Sequence, residues 1–116
     1  MSPVNCIFCS IIKKEIPSSL VFEDSEFVAF NDIHPKAPVH VLIVSKTHIA
    51  SVKDLKAGEE ELTGRMIGLA KNIAREQKLD GYKLIFNVGP KGGQLIDHLH
   101  LHLLGGWGEA PKKVEV

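Results

Sequence analysis

The hydrophobic pattern changes period several times along the chain, and each change marks an element. Between Cys6 and Lys14, Ile7, Phe8, Ile11 and Ile12 fall at helical spacing, a short amphipathic turn that Pro17 must end or follow. Two extended runs, Leu20 to Glu23 and Phe27 to Phe30, flank Asp24-Ser25-Glu26 and predict a hairpin. Asp32 to Pro38 is a proline-punctuated loop, and His40-Val41-Leu42-Ile43-Val44 is nearly continuous and β-branched, the pattern of a central strand buried on both faces. From about Lys56 to Lys78, the residues Leu62, Met66, Leu69, Ala70, Ile73 and Ala74 form one apolar stripe of a long helix. Glu59, Glu60 and Glu61 suit its positive N-terminal end, Arg75 and Lys78 its C-terminal end, and Gly81 is placed to stop it. Tyr82 to Asn87 is a strand candidate, Asn87 to Gln94 a glycine-rich loop, and His98 to Leu104 the last strand. Hairpins at the front and only two helices predict an α+β fold with an antiparallel sheet, because a parallel sheet would need more crossover helices.

Composition narrows the class. The chain has 116 residues, 44% hydrophobic and 24% charged, enough for one core and without room for a second full domain. A single domain over 1–116, with 107–116 as a C-terminal tail, is the simplest parse. Lys and Arg number 14 against 14 Asp and Glu, so no charge excess favours nucleic acid. No apolar run is long enough to span a membrane, and the opening MSPVNCIFCS lacks a charged stretch followed by an apolar signal core. A soluble, cytoplasmic protein is expected. The two cysteines, Cys6 and Cys9, are too few and too close for a disulfide scaffold, which leaves a metal clip, a redox pair or packed thiols.

The chemistry concentrates in the histidines. Three of the six, His98, His100 and His102, alternate with leucines near the end, so a strand puts all three imidazoles on one face. Such a row is compatible with a half-exposed polar strand face, with metal ligation, or with catalytic imidazole. The preceding Gly92-Gly93-Gln94 is expected to supply unobstructed backbone N–H groups to an oxyanion or phosphate, which favours the catalytic alternative.

The run Gly93-Gln94 followed by His98, His100 and His102 with Leu103-Leu104 resembles the signature of the histidine triad superfamily. The resemblance extends through Phe22-Glu23-Asp24, Ala29 to Ile33, Pro35 to His40 and Lys46 to Ile49. Gly105-Gly106 after the triad is similar to the nucleotide-binding, purine nucleoside phosphoramidase branch; the dinucleoside polyphosphate hydrolase branch usually has Pro-Arg there. The resemblance implies a homodimer with a five-stranded antiparallel sheet in each subunit, joined across the interface, and a purine nucleotide pocket in each. It implies hydrolysis of a nucleoside 5′-phosphoramidate, or a related aminoacyl adenylate, through a nucleotidyl intermediate on His100, with no metal in the reaction. His102 then contacts phosphate and assists the leaving group, and His40 completes the hydrogen-bonded set behind the nucleophile. Asp32 takes the ribose hydroxyls; Asn87, Gly93 and Gln94 lie near phosphate and sugar; Phe8, Phe30 and Ile33 wall the base. Ordinary core packing is an equally good account of those last three.

With those histidines assigned, His48 and His98 remain to join Cys6 and Cys9, and relatives that keep both cysteines are similar in having a zinc site of two Cys and two His. Structural zinc on Cys6, Cys9, His48 and His98 is therefore expected. His34 has no assigned task and is expected to be solvated. Three positions depart from the branch: Leu95 where serine is common, Trp107 where arginine often follows the glycine pair, and Asp97 where an apolar or aromatic residue is usual. They leave the leaving group open and keep alternatives in play: a non-catalytic purine-nucleotide module, a dinucleoside polyphosphate hydrolase, or a metallohydrolase with the triad as ligands.

Overall fold

In a computed structural model that describes residues 6–113, the chain runs α1 (Ile7–Ile12), β1 (Leu20–Glu23), β2 (Phe27–Asn31), β3 (Val39–Ser45), α2 (Glu60–Glu76), β4 (Tyr82–Ile85) and β5 (His100–Gly105). The first five residues, on which the leader reading rests, and 114–116 at the end of the expected tail lie outside the described residues. Two short 3-10 turns, Val52–Asp54 and Pro90–Gly92, complete the order. The strands form one antiparallel sheet in the order β1-β2-β3-β5-β4. This is the α+β architecture the alternation of patterns predicts, with one long and one short helix.

The sheet separates two cores because successive side chains of a strand point to opposite faces. On β2 and β3, Phe27, Ala29, Val41 and Ile43 face α2, where Met66, Ala70, Ile73 and Ala74 of the apolar stripe cover them together with Leu99, Leu101 and Leu103. The intervening Val28, Phe30, Leu42 and Val44 face α1, packing on Phe8, Cys9 and Ile11. Strand β3 is thus buried on both faces, as its continuous apolar run implies. No helix among the described residues is long and apolar enough to cross a membrane.

Element ends differ from the sequence pattern for identifiable reasons. Helix α2 begins at Glu60 rather than near Lys56 and stops before Gly81. Lys78, at φ 58°, takes the left-handed position, its N–H bonds Arg75 O at 3.0 Å, and Leu79 N–H bonds Ala74 O at 2.9 Å. This pair of bonds closes the helix, and the packing of Leu79 on the core holds a lysine where glycine is usual. Lys14, at φ 63°, closes α1 in the same way, with Pro17 following. Strand β4 ends at Ile85, before Asn87, and β5 begins at His100 rather than His98. The chain before His100 bonds elsewhere: Leu99 N–H reaches Ile49 O at 2.6 Å, outside the β3 ladder that starts with Val44 and His100. At the far end, a Cβ on Gly105 would sit 2.9 Å from Leu79 Cδ1 and 3.2 Å from Gly81 O, so the close approach to β4 requires glycine there.

Candidate active site and metal centre

The β5 register carries His100 and His102 onto the α1 face of the sheet, and hydrogen bonds then fix which nitrogen of each ring holds a proton. His100 Nδ1 lies 2.6 Å from His98 O. A carbonyl only accepts, so Nδ1 donates and the neutral ring keeps its lone pair on Nε2. Lys36 N–H donates to His40 Nδ1 at 3.0 Å, which leaves His40 Nε2 as a donor; it meets His102 Nδ1 at 2.9 Å. His102 therefore carries its proton on Nε2. The rings of His100 and His102 are 5.0 Å apart, His100 offering a lone pair and His102 an N–H. Burial pushes the pKa of His40 and of His100 down, and that of His102 to about 4, with the neighbouring imidazoles adding to the effect for His102. Neutral rings are the form this arrangement uses.

Both imidazoles line a cavity of about 390 Å³. Its wall on the α1 side is Ile7, Phe8, Ile11 and Phe30, with Asp32 and Ile33 from the loop between β2 and β3; Leu42 adds to the lining. Phe8 meets Phe30 edge-on at 5.6 Å and His100 edge-on at 5.0 Å, so the two phenylalanines serve as core and as wall together. Asp32 Oδ1 accepts from His34 N–H at 2.8 Å, and Oδ2 stands 3.6 Å from His40 Nε2, too long for a hydrogen bond. Asn87, Gly93 and Leu95 complete the lining, with Ile96 packed on the core cluster that contains α1.

Two expectations about the glycine loop are corrected. The N–H groups of Gly92, Gly93 and Gln94 bond Gly89 O, Pro90 O and Gly89 O, each at 3.0 Å, so they hold the loop and are not spare oxyanion donors. Gln94 is buried with its amide turned away from the cavity: Oε1 accepts from Gly89 N–H at 2.9 Å, and Nε2 donates to Ala50 O at 2.7 Å and Ile96 O at 2.9 Å. Beside the imidazoles of His100 and His102, the donor-bearing residues of the lining are Ser18, Asn31, His34, Lys36 and Asn87, and one hydrogen of the Asn87 amide is held by Gly92 O at 2.9 Å. Gly93 adopts φ 89°, and a Cβ there would press on Asn87 Nδ2 at 3.3 Å.

Cys6, Cys9, His48 and His98 converge behind His100. His98 is fully buried; its Nε2 donates to Ser45 O at 2.6 Å, which turns the Nδ1 lone pair toward Cys6 Sγ at 3.2 Å, Cys9 Sγ at 3.5 Å and His48 Nδ1 at 3.1 Å. Cys9 Sγ also meets His48 Nδ1 at 3.3 Å. Tetrahedral zinc, with bonds of about 2.0 Å to nitrogen and about 2.3 Å to sulfur, spaces its ligand atoms roughly 3.3 to 3.8 Å apart, so the four atoms fit a closed site. Burial lowers the His98 pKa to about 4 and raises that of the Cys6 thiol, which makes a cation the natural partner for a thiolate here.

Comparison with known proteins identifies the family. A family model described as scavenger mRNA decapping enzyme C-term binding matches residues 5–113. The chain is 47% identical over 102 residues to the purine nucleoside phosphoramidase of Escherichia coli strain K12, covering 86% of each chain. It is 47% identical over 103 residues to a 14 kDa zinc-binding protein of Zea mays, covering 86% of this chain and 80% of that one. A histidine triad protein from Clostridium difficile superposes with a TM-score of 0.90 at 39% identity, over 97% of this chain and 100% of the other. The chain belongs to the histidine triad superfamily.

Of the site residues the superfamily pattern indicates, Asp32, Asn87, Gly93, Phe8, Phe30, Ile33, His100 and His102 come together at the cavity, His40 stands behind His102, and Gln94 braces the loop. His34 is exposed as expected but sits at the cavity margin. Three backbone groups that orient the rings, Ser45 O, His98 O and Lys36 N–H, escaped the side-chain pattern. The proline-flanked spacing from Lys36 to His40 was the only hint of the last. Among the departures, Leu95 is 94% exposed at the cavity, Asp97 is exposed, and Trp107 lies away from the cavity with Lys83 Nζ 5.3 Å over its ring.

Proposed function

We propose that this histidine triad protein hydrolyses purine nucleoside 5′-phosphoramidates, or related aminoacyl adenylates, through a covalent nucleotidyl intermediate on His100. The observation that carries the reading is the divided protonation of the paired imidazoles. His100 Nε2 has the lone pair a nucleophile needs, and His102 Nε2 has the hydrogen a phosphoryl oxygen or departing nitrogen needs. His100 Nε2 attacks the α-phosphorus and the P–N bond breaks; the amine leaves with the bonding pair and takes a proton from solvent. The positive charge on the nucleotidyl-imidazole is spread toward Nδ1–H, where His98 O accepts. Water then attacks phosphorus, releases the nucleoside monophosphate, returns the lone pair to Nε2 and gives its spare proton to solvent. His40 holds the orientation of His102; Asp32 Oδ2 takes ribose hydroxyls; Phe8, Phe30 and Ile33 hold the base; Asn87 contacts phosphate beside the conformationally required Gly93.

Zinc on Cys6, Cys9, His48 and His98 would be structural, tying α1 to the start of β5 with no open position for substrate. Two thiolate ligands need reducing surroundings, which suits a cytoplasmic protein. A homodimer with a continuous sheet accords with the edge position of β4 and the exposed apolar Ile67, Tyr82 and Leu84. The name of the Escherichia coli relative, purine nucleoside phosphoramidase, supports the substrate class. Mass spectrometry of the intact protein quenched during turnover of an adenosine phosphoramidate tests the reading: it predicts a nucleotide adduct on His100. Bound nucleotide without any adduct would instead mark a binding module, and His100→Ala with full activity would refute the mechanism.

A further inference from the structure

We infer that Leu95 selects the leaving group, and that the amine expelled from phosphorus carries an uncharged, apolar substituent. The inference rests on the phosphoramidase reading and names the substrate feature that reading leaves open. The strand order β1-β2-β3-β5-β4 gives the cavity two chemically different sides. On the β2 side stand α1 and the loop with Asp32; on the β4 side, after strand β4, stand Asn87, Gly93 and Leu95, while Ile96 packs back on the cluster that contains α1. His100 and His102 rise from β5 between them. Asp32 is the one carboxylate of the lining and its Oδ2 is open to hydroxyls, so the ribose and base occupy the β2 side. In-line attack by His100 drives the leaving nitrogen away from the sheet, toward the mouth, and the β4 side is what remains to receive its substituent.

That side carries no formal charge: Asp32 and Lys36, the charged members of the lining, both belong to the β2–β3 loop. A carboxylate or ammonium on the leaving group would meet no opposite charge in that lining, only the neutral Asn87 amide and His102 imidazole. An isolated exposed leucine is ordinary on a protein surface, but Leu95 is held in place by both neighbours. Gln94 is fixed by the bonds its side chain makes to Gly89 N–H, Ala50 O and Ile96 O, and Ile96 O also accepts from His98 N–H at 2.9 Å. A pinned backbone thus presents a 94% exposed aliphatic side chain at the mouth of the cavity containing the proposed nucleophile. An apolar substituent on the amine would cover it.

The test uses the full-length protein and three adenosine 5′-phosphoramidates whose amines are 3-methylbutylamine, 3-hydroxypropylamine and β-alanine. The kcat/KM for each is measured in the unsubstituted protein and in Leu95→Ser, Leu95→Gln and Leu95→Met. The unsubstituted protein is expected to favour the 3-methylbutyl compound, mainly through KM. Both polar variants should lower its ratio to the hydroxypropyl compound by about tenfold, the lower end of what one methylene-sized contact achieves in a pocket, while Leu95→Met keeps it. Because the side chain lies outside both cores, the variants should keep the parental melting temperature. An unchanged ratio in both polar variants, with His100-dependent turnover intact, overturns this inference alone. Absence of turnover with every phosphoramidate overturns it together with the function it rests on.

Discussion

Gln94 offers a decisive perturbation, because the sequence pattern and the structure assign it different work. If its amide contacted the nucleotide, removing it would raise KM and leave folding alone. The structure instead buries it and commits its amide three times, to Gly89 N–H, Ala50 O and Ile96 O. Gln94→Leu keeps the approximate volume and deletes all three bonds at once. Each is worth about 1 kcal/mol net, and each deprived partner that stays dry adds to the loss, so destabilisation of about 3 kcal/mol is expected. Gln94→Glu should be at least as damaging, since Oε1 can still accept from Gly89 N–H but the second oxygen faces two carbonyl oxygens. Urea unfolding of the full-length protein, followed by far-ultraviolet circular dichroism, reads the change as a lower midpoint at constant slope. A loss below about 0.5 kcal/mol in Gln94→Leu, the level of an ordinary surface substitution, would refute the bracing role.

His40→Ala removes the donor to His102 Nδ1 and should lower kcat for an adenosine phosphoramidate by roughly 100-fold, the scale of one misplaced transition-state hydrogen-bond donor, with little change in KM; steady-state kinetics that show an unaltered kcat would contradict it. Metal analysis of protein purified without chelator should find one zinc per chain, and Cys9→Ser should lose the metal and several degrees of melting temperature. The His102 pKa of about 4 lies below its unfolded value of 6.5, so the unfolded state binds the extra proton first. Stability from this group is complete above pH 6.5 and is lost as pH falls toward 4, and thermal melts across that window should show a declining midpoint. Glu23, held at about 2 by Lys14 and Lys46, releases its contribution only below pH 4.5, so a midpoint flat from pH 6.5 to 4.5 would count against the buried, neutral His102.

Period alone located α1, both hairpin strands, β3 and the stripe of α2, because each buries a face whose repeat is written in consecutive residues. Boundaries were less legible where long-range contacts decide them. Lys78 closes α2 in a left-handed conformation only because Leu79 finds the core, and β5 starts late because Leu99 N–H is drawn to Ile49 O. The convergence at the cavity of Asp32, Asn87, His100 and His102 was implied by the resemblance to the histidine triad pattern, and the gathering of Cys6 and Cys9 with His48 and His98 by ligand count together with that resemblance. What escaped was the destination of the polar loop groups. Gly92-Gly93-Gln94 supplies N–H groups in abundance, yet local turns at Gly89 and Pro90 claim them, and no spacing rule reveals whether a loop amide faces a ligand or its own chain.

Backbone groups account for the division of labour among chemically identical rings. Ser45 O takes His98 Nε2–H and so aims the Nδ1 lone pair at the cysteines; His98 O in turn takes the Nδ1–H of His100, two residues on, and so aims the Nε2 lone pair at the cavity. Lys36 N–H works in the opposite sense through His40, leaving a proton rather than a lone pair on His102 Nε2. The strand period places the imidazoles along one face, but it cannot say which will ligate, attack or donate. In the proposed roles, a C=O at the far nitrogen leaves a lone pair on His98 and His100, and an N–H there leaves a proton on His102. The same residue, His98, joins the two clusters, since its ring belongs to the Cys/His group and its carbonyl holds His100, the proposed nucleophile. A shift of that peptide would therefore disturb both, and the fully buried ring, the Leu99 N–H bond to Ile49 O and the β5 ladder beginning at His100 together keep it in place.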